Sequence, residues 1–123
     1  MDFVFEHGRF DGQSRRGWTL GHFMEGPRRS SEVEVKWGAH GREESSPGWS
    51  HCETATTLSV LVSGRFELAF RNVPEKTVML NAPGDYVLFG PGVSHRWTAL
   101  EDAVIMTVRW PSLPGDCSRS ADQ

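Results

Sequence analysis

Short runs rich in Val, Leu, Phe and Thr, each cut off by Gly, Pro, Asn or Asp, follow one another along most of this chain, and no long stretch holds a helical period. Such punctuation leaves little room for helices and points to strands joined by tight turns. Strands are expected at 31–40, 56–63, 65–71, 77–80, 85–89, 95–98 and 103–110, with one more inside 17–24. Gly64 separates two of them and reads as a turn or bulge residue. Residues 41–50 include Glu43, Glu44, Ser45, Ser46, Pro47 and Gly48 and read as a polar loop. The fold class implied is all-β.

The chain has 123 residues, enough for one core and too few for two. Five Trp and seven Phe supply large buried areas from few positions, which suits a small barrel. Within 57–62, Leu58, Val60 and Val62 share one face while Thr57, Ser59 and Leu61 share the other, and neither face is strongly polar. A strand covered on both sides fits this pattern. The cover on the second side is either another sheet of the same chain or a second subunit, and a homodimer is expected.

A formal net charge of -3 provides no field for phosphate backbones or anionic lipid, so no nucleic-acid partner is expected. The sequence contains no apolar run long enough to span a membrane, and its first residues lack the pattern of a signal peptide; a cytoplasmic location without membrane contact is expected. Cys52 and Cys117 are the only cysteines and are read as free thiols. There is no G-x-S-x-G elbow and no Walker or Rossmann glycine pattern, which removes nucleophilic hydrolysis and nucleotide binding from consideration.

Gly84, five residues, then Gly90-Pro91-Gly92-Val93-Ser94-His95 is similar to the second motif of the cupin superfamily, G-x5-P-x-G-x2-H, with Gly90 standing where the family usually has Pro. Lys36-Trp37-Gly38-Ala39-His40, Ala55 to Phe66 and Thr107 to Ser112 look like segments of small bacterial single-domain cupins of the RmlC-like type. The resemblance implies a double-stranded β-helix, or jelly-roll barrel, over residues 1–112. Within it, 30–110 would form the core and 1–29 an N-terminal strand and loop extension, followed by a flexible tail at 113–123. Counting back from Gly64, the first motif is degenerate: His51 stands at the first His, Glu53 at the second and Thr57 at the usual Glu.

The resemblance therefore implies a metal site of His51, Glu53 and His95. Two imidazoles and a carboxylate suit a divalent transition metal such as Fe, Zn, Mn or Ni. Trp37, His40, Thr57 and Trp97 are expected to shape a pocket, together with Phe66 and Phe89. His40 shares a face with Glu34 and Lys36, opposite Val33, Val35 and Trp37, and points inward only if the barrel interior is polar. His7 and His22 have no motif context. The cupin fold hosts isomerases, lyases, oxygenases and non-catalytic binders, so the sequence does not decide whether this chain is an enzyme. The expectation is a metal-binding cupin acting on a small organic molecule, and the alternative is a metal-free cupin that binds a ligand or partner without catalysis.

Overall fold

The computed structural model describes residues 3–120; residues 1, 2 and 121–123, with the end of the expected flexible tail, lie outside the described residues. Its strands form two five-stranded antiparallel sheets packed face to face. The first runs in spatial order β1 (Trp18–Leu20), β2 (Glu34–His40), β9 (Ala103–Trp110), β4 (Thr56–Ser63) and β7 (Tyr86–Phe89). The second runs β10 (Cys117–Ser120), β3 (Trp49–Cys52), β8 (His95–Ala99), β5 (Phe66–Phe70) and β6 (Thr77–Leu80).

Three strands fall where the sequence places them, at 56–63, 77–80 and 103–110, and four others within their expected ranges. Gly64 takes φ +88°, and a side chain there would run into the backbone of Asp102 and Ala103, so the tight β4–β5 reversal requires glycine. Gly92, at φ +81°, turns the chain between β7 and β8, and Asn72 clamps that turn by donating to the Gly92 carbonyl and accepting from Ser94 N–H. His95 is thereby delivered as the first residue of β8.

Residues from both sheets meet in one apolar core of Leu61, Ile105, Ala103 and Phe89 against Phe66, Leu68, Phe70, Leu80 and Ala99. It fills one end of the barrel. On β4 the inward residues are Thr57, Ser59 and Leu61, and no second layer of the described chain covers Leu58, Val60 and Val62. Strand register extends that outer face across four strands, as the rows Trp37–Met106–Val60–Tyr86 and Val35–Val108–Leu58–Leu88. Tyr86 is 65% and Leu88 54% exposed. The outward residues of the other sheet are mixed, with Glu67 paired to Thr98 and Ala69 to Arg96.

Two expectations need correction. The tail is not wholly without structure: Cys117–Ser120 adds a strand to the sheet edge, pairing Cys117 with Cys52, Ser118 with His51 and Arg119 with Ser50. Nor are the cysteines free thiols, because that register sets Cys52 and Cys117 side by side and they form a disulfide. The Asp116 carboxylate secures the same corner by accepting the N–H groups of Thr54 and Ala55. No helix among the described residues is long and apolar enough to cross a membrane.

Candidate functional site

Above the apolar core the barrel interior turns polar, and strand register shows why. Reading inward-facing residues across the first sheet gives Gly38, Ile105 and Leu61 in one row, then Lys36, Thr107 and Ser59, then Glu34, Arg109 and Thr57. Each step of two residues along β2, β9 and β4 exchanges apolar for polar groups together. The facing sheet adds Ser50, His95 and Trp97, with Ser50 directly opposite His95 in register. Lys36, Arg109, Ser50, His95 and Trp97 line a cavity of about 490 Å³, and Lys36, Arg109, His95 and Trp97 also line an adjoining recess of about 50 Å³ with Thr57, Ser59, Thr107 and Phe66. The size falls within the roughly 300–1,000 Å³ of small-molecule sites.

The walls carry an excess of cations. Lys36 and Arg109 line both the cavity and the recess, while Arg16 and Arg119 stand in the cavity wall. Arg109 is held from behind, its guanidinium donating to Glu34 at 3.1 Å, and the buried Ser112 hydroxyl donates to the other Glu34 oxygen at 2.6 Å. The Trp18 ring carries two cations at once, Arg109 at 4.7 Å and the Lys36 ammonium at 5.8 Å. Burial, reinforced by Arg109, Arg16 and Arg119, pushes the Lys36 amine down to about 8.

Two histidines stand on this wall in different surroundings. The His95 ring lies 4.6 Å from Phe89, and burial, then Arg109, pushes it down to about 4, so it is neutral at physiological pH. His40 Nδ1 lies 3.0 Å from a Glu44 carboxylate oxygen, and its ring lies 4.3 Å from that of Trp97. The hydrogen bond to His40, first among the causes, holds the Glu44 carboxyl below its ordinary range. Gly38 makes room for this arrangement, since a Cβ there would stand 2.8 Å from His40 Nε2.

The interior is polar, so His40 points inward as the sequence allowed, and Thr57 and Trp97 also line the site. Trp37 does not; it lies in the outer row opposite Met106. His51 and Glu53 do not join His95 either. Ser50 is the β3 residue that faces the cavity, so His51 falls on the other side of the strand, opposite Ser118, and its Nε2 lies 2.7 Å from Glu53. Lys36, Arg109, Arg16, Arg119 and Ser50 were not anticipated as site residues. Alternation along β9 held the signal for one of them, because Ile105, Thr107 and Arg109 share a face, but only register brings that face to Lys36.

No protein-family model matches the sequence, and no curated protein matches it. Solved structures do. A chain from the crystal structures of the DMSP lyases RdDddP and RnDddQII is 28% identical over 75% of this chain and 46% of its own, with a TM-score of 0.59. An RmlC-like cupin from Desulfovibrio desulfuricans is 15% identical with a TM-score of 0.60, over 92% of this chain and 97% of its own. The chain has the cupin fold. A cupin-superfamily sugar phosphate isomerase from Silicibacter pomeroyi DSS-3 is 16% identical with a TM-score of 0.61, over 75% of this chain and 59% of its own. The chain thus spans about half the length of the lyase it matches.

The metal centre implied by the cupin resemblance does not fit this interior. The group of three His, Cys, Asp or Glu side chains close enough to share an ion, among the described residues, is Cys52, Asp116 and Cys117, whose sulfurs are already bonded to each other. His95 instead faces hydroxyls and two cations. A divalent ion beside it would meet like charge from Lys36 and Arg109, and the carboxylate in the cavity wall, Glu44, is already engaged by His40 and the Gly41 N–H.

Proposed function

We propose that this cupin binds a small organic molecule in its barrel through side chains alone, with His95 serving as a neutral cavity imidazole. One observation carries this reading. The polar end of the barrel is a cavity lined by amine, guanidinium, hydroxyl and imidazole groups, with its carboxylate, Glu44, already engaged by His40, a set weighted towards recognising an organic ligand. That a lyase and an isomerase share the fold supports a small molecule as occupant. The test is calorimetric or fluorescence screening of small polar compounds against protein treated with a chelator, since Trp97 and Trp18 stand in the cavity wall. Binding that survives the chelator and is lost in Trp97→Ala supports the proposal, and binding that appears only after addition of Fe, Zn, Mn or Ni overturns it.

The His40–Glu44 pair favours a second reading in which the bound molecule is also transformed. A histidine oriented by a carboxylate at a cavity wall is equipped to take and return a proton, as lyase and isomerase chemistry demands. Turnover abolished by His40→Gln with ligand affinity retained would separate catalysis from binding. For the expected homodimer, the support is the outer apolar face of Trp37, Met106, Val60 and Tyr86. Sedimentation should give a dimer that Val60→Glu converts to a monomer, and a monomeric parent protein would refute it.

A further inference from the structure

Building on the small-molecule reading of the cavity, we infer that its ligand is an organic oxyanion whose charged group seats between Lys36 and Arg109, with its body against Trp97. The first ground is an uncompensated charge. The Lys36 ammonium makes no hydrogen bond or ion pair among the described residues; its neighbours are the faces of Trp18, at 5.8 Å, and Trp97, at 5.9 Å. Like charges placed together out of water repel, and the Trp18 ring they share offsets only part of that cost. An anion between them would remove the conflict.

The second ground is an unmet hydrogen bond. Arg109 spends Nη1 on Glu34, yet its buried Nε has no hydrogen-bond partner among the described residues, and neither has His95 Nδ1. Buried polar atoms without partners are rare, and both of these belong to residues that line the cavity and its recess. Thr57, Ser59 and Thr107 add hydroxyls able to donate to the same group. Glu44 is the acidic side chain in the wall, and it is engaged by His40 and the Gly41 N–H.

The third ground lies at the rim. Arg15 and Arg16 both adopt the left-handed conformation, with φ 53° and 54°, a costly backbone for residues with a Cβ. The turn they form brings the Arg16 side chain to the cavity wall, across from Arg119 on the disulfide-tethered strand β10. Four cations thus converge on one cavity in a chain whose formal net charge is -3. A field so concentrated against the sign of the whole molecule selects anions.

The test is a tryptophan-fluorescence titration of the full chain with benzoate, its neutral isostere benzamide, and inorganic phosphate, on wild type and Lys36→Met. Benzoate should bind in the millimolar range or tighter and at least about tenfold better than benzamide, and Lys36→Met should erase that preference while leaving the weaker benzamide binding in place. Phosphate competing with benzoate in the wild type assigns the site to oxyanions generally, whereas benzoate binding without phosphate competition restricts it to carboxylates. Benzamide bound as well as benzoate, or a preference unchanged in Lys36→Met with native near-ultraviolet circular dichroism, overturns the oxyanion inference and leaves the small-molecule cavity standing. Failure of all three probes, joined by failure of a broad panel of neutral and cationic fragments, overturns both.

Discussion

Replacing Lys36 by methionine should stabilise this protein while removing its cavity's preference for anions. The Lys36 amine is pushed from 10.5 down to about 8, chiefly by burial and then by Arg109, Arg16 and Arg119, with only Glu44 pulling the other way. A drop of that size corresponds to about 3 kcal/mol of differential interaction between the two protonation states. Below about 8 the amine is charged in both folded and unfolded chains, and the folded state bears the full burden. Between about 8 and 10.5 the unfolded chain holds a proton that the folded chain has released, so stability rises with pH across that window.

Methionine keeps an unbranched stem and removes the charge, at the loss of two cation–π contacts worth about 0.5 kcal/mol each. A net gain of about 2 kcal/mol at pH 7 is expected. In urea this moves the unfolding midpoint up by about 1 M. The assay is paired urea denaturation of wild type and Lys36→Met at neutral and alkaline pH, with the gap between them shrinking as pH rises. A variant less stable than wild type at neutral pH, or a gap that does not change with pH, would refute the reasoning.

Acid should destabilise through His95 by linkage of the same sign: the ring is pushed from 6.5 down to about 4 by burial, then by Arg109 and Lys36, the unfolded chain takes up a proton first, up to about 3 kcal/mol is lost as pH falls through that window, and thermal melts of His95→Gln should show a flatter acid limb. The Cys52–Cys117 bond closes a loop spanning 65 positions, for which chain entropy gives roughly 4 kcal/mol. Protein unfolded without reductant should therefore show no free thiol, and reductant should lower the melting temperature of wild type but not of Cys52→Ser/Cys117→Ser. In Gly38→Ala the new Cβ would stand 2.8 Å from His40 Nε2 and push the ring off Glu44. The expected cost is about 1 kcal/mol, with displaced His40 ring resonances by NMR.

The sequence made the barrel legible and its chemistry much less so, for one physical reason. Strands and turns are written locally: the alternation in 56–63 and 103–110 and the glycines at 64 and 92 are enough to place β4, β9 and the turn that delivers His95. A site inside a barrel is written across strands. Assigning His51 to the cavity depended on spacing within one short segment, and a one-residue difference in which side of β3 faces inward exchanges His51 for Ser50. Strand β10 was hidden for a related reason, because Cys117–Ser120 has no alternation of its own and becomes a strand by pairing with β3. Trp97 was found because its face follows from that of His95 two residues earlier, Thr57 because the cupin pattern places it, and His40 was left to the polarity of the interior, which the structure supplies.

The degenerate first motif and the cationic interior are best understood as one change. Thr57 stands where the cupin pattern has a glutamate, and in this barrel it lies directly opposite Arg109, which lies opposite Glu34 on its other flank. A glutamate at 57 would enclose the guanidinium between two carboxylates, satisfy Nε and cancel the charge that Arg109 brings to the recess. A threonine leaves it with a single counter-ion and an unmet donor. Loss of the carboxylate that would have helped to hold a metal is thus what frees Arg109, and Lys36 beside it, to act on an anion. A metal cation and these two side chains would compete for the same negative charge, so one interior is not organised for both, and the donors present here favour the organic ligand.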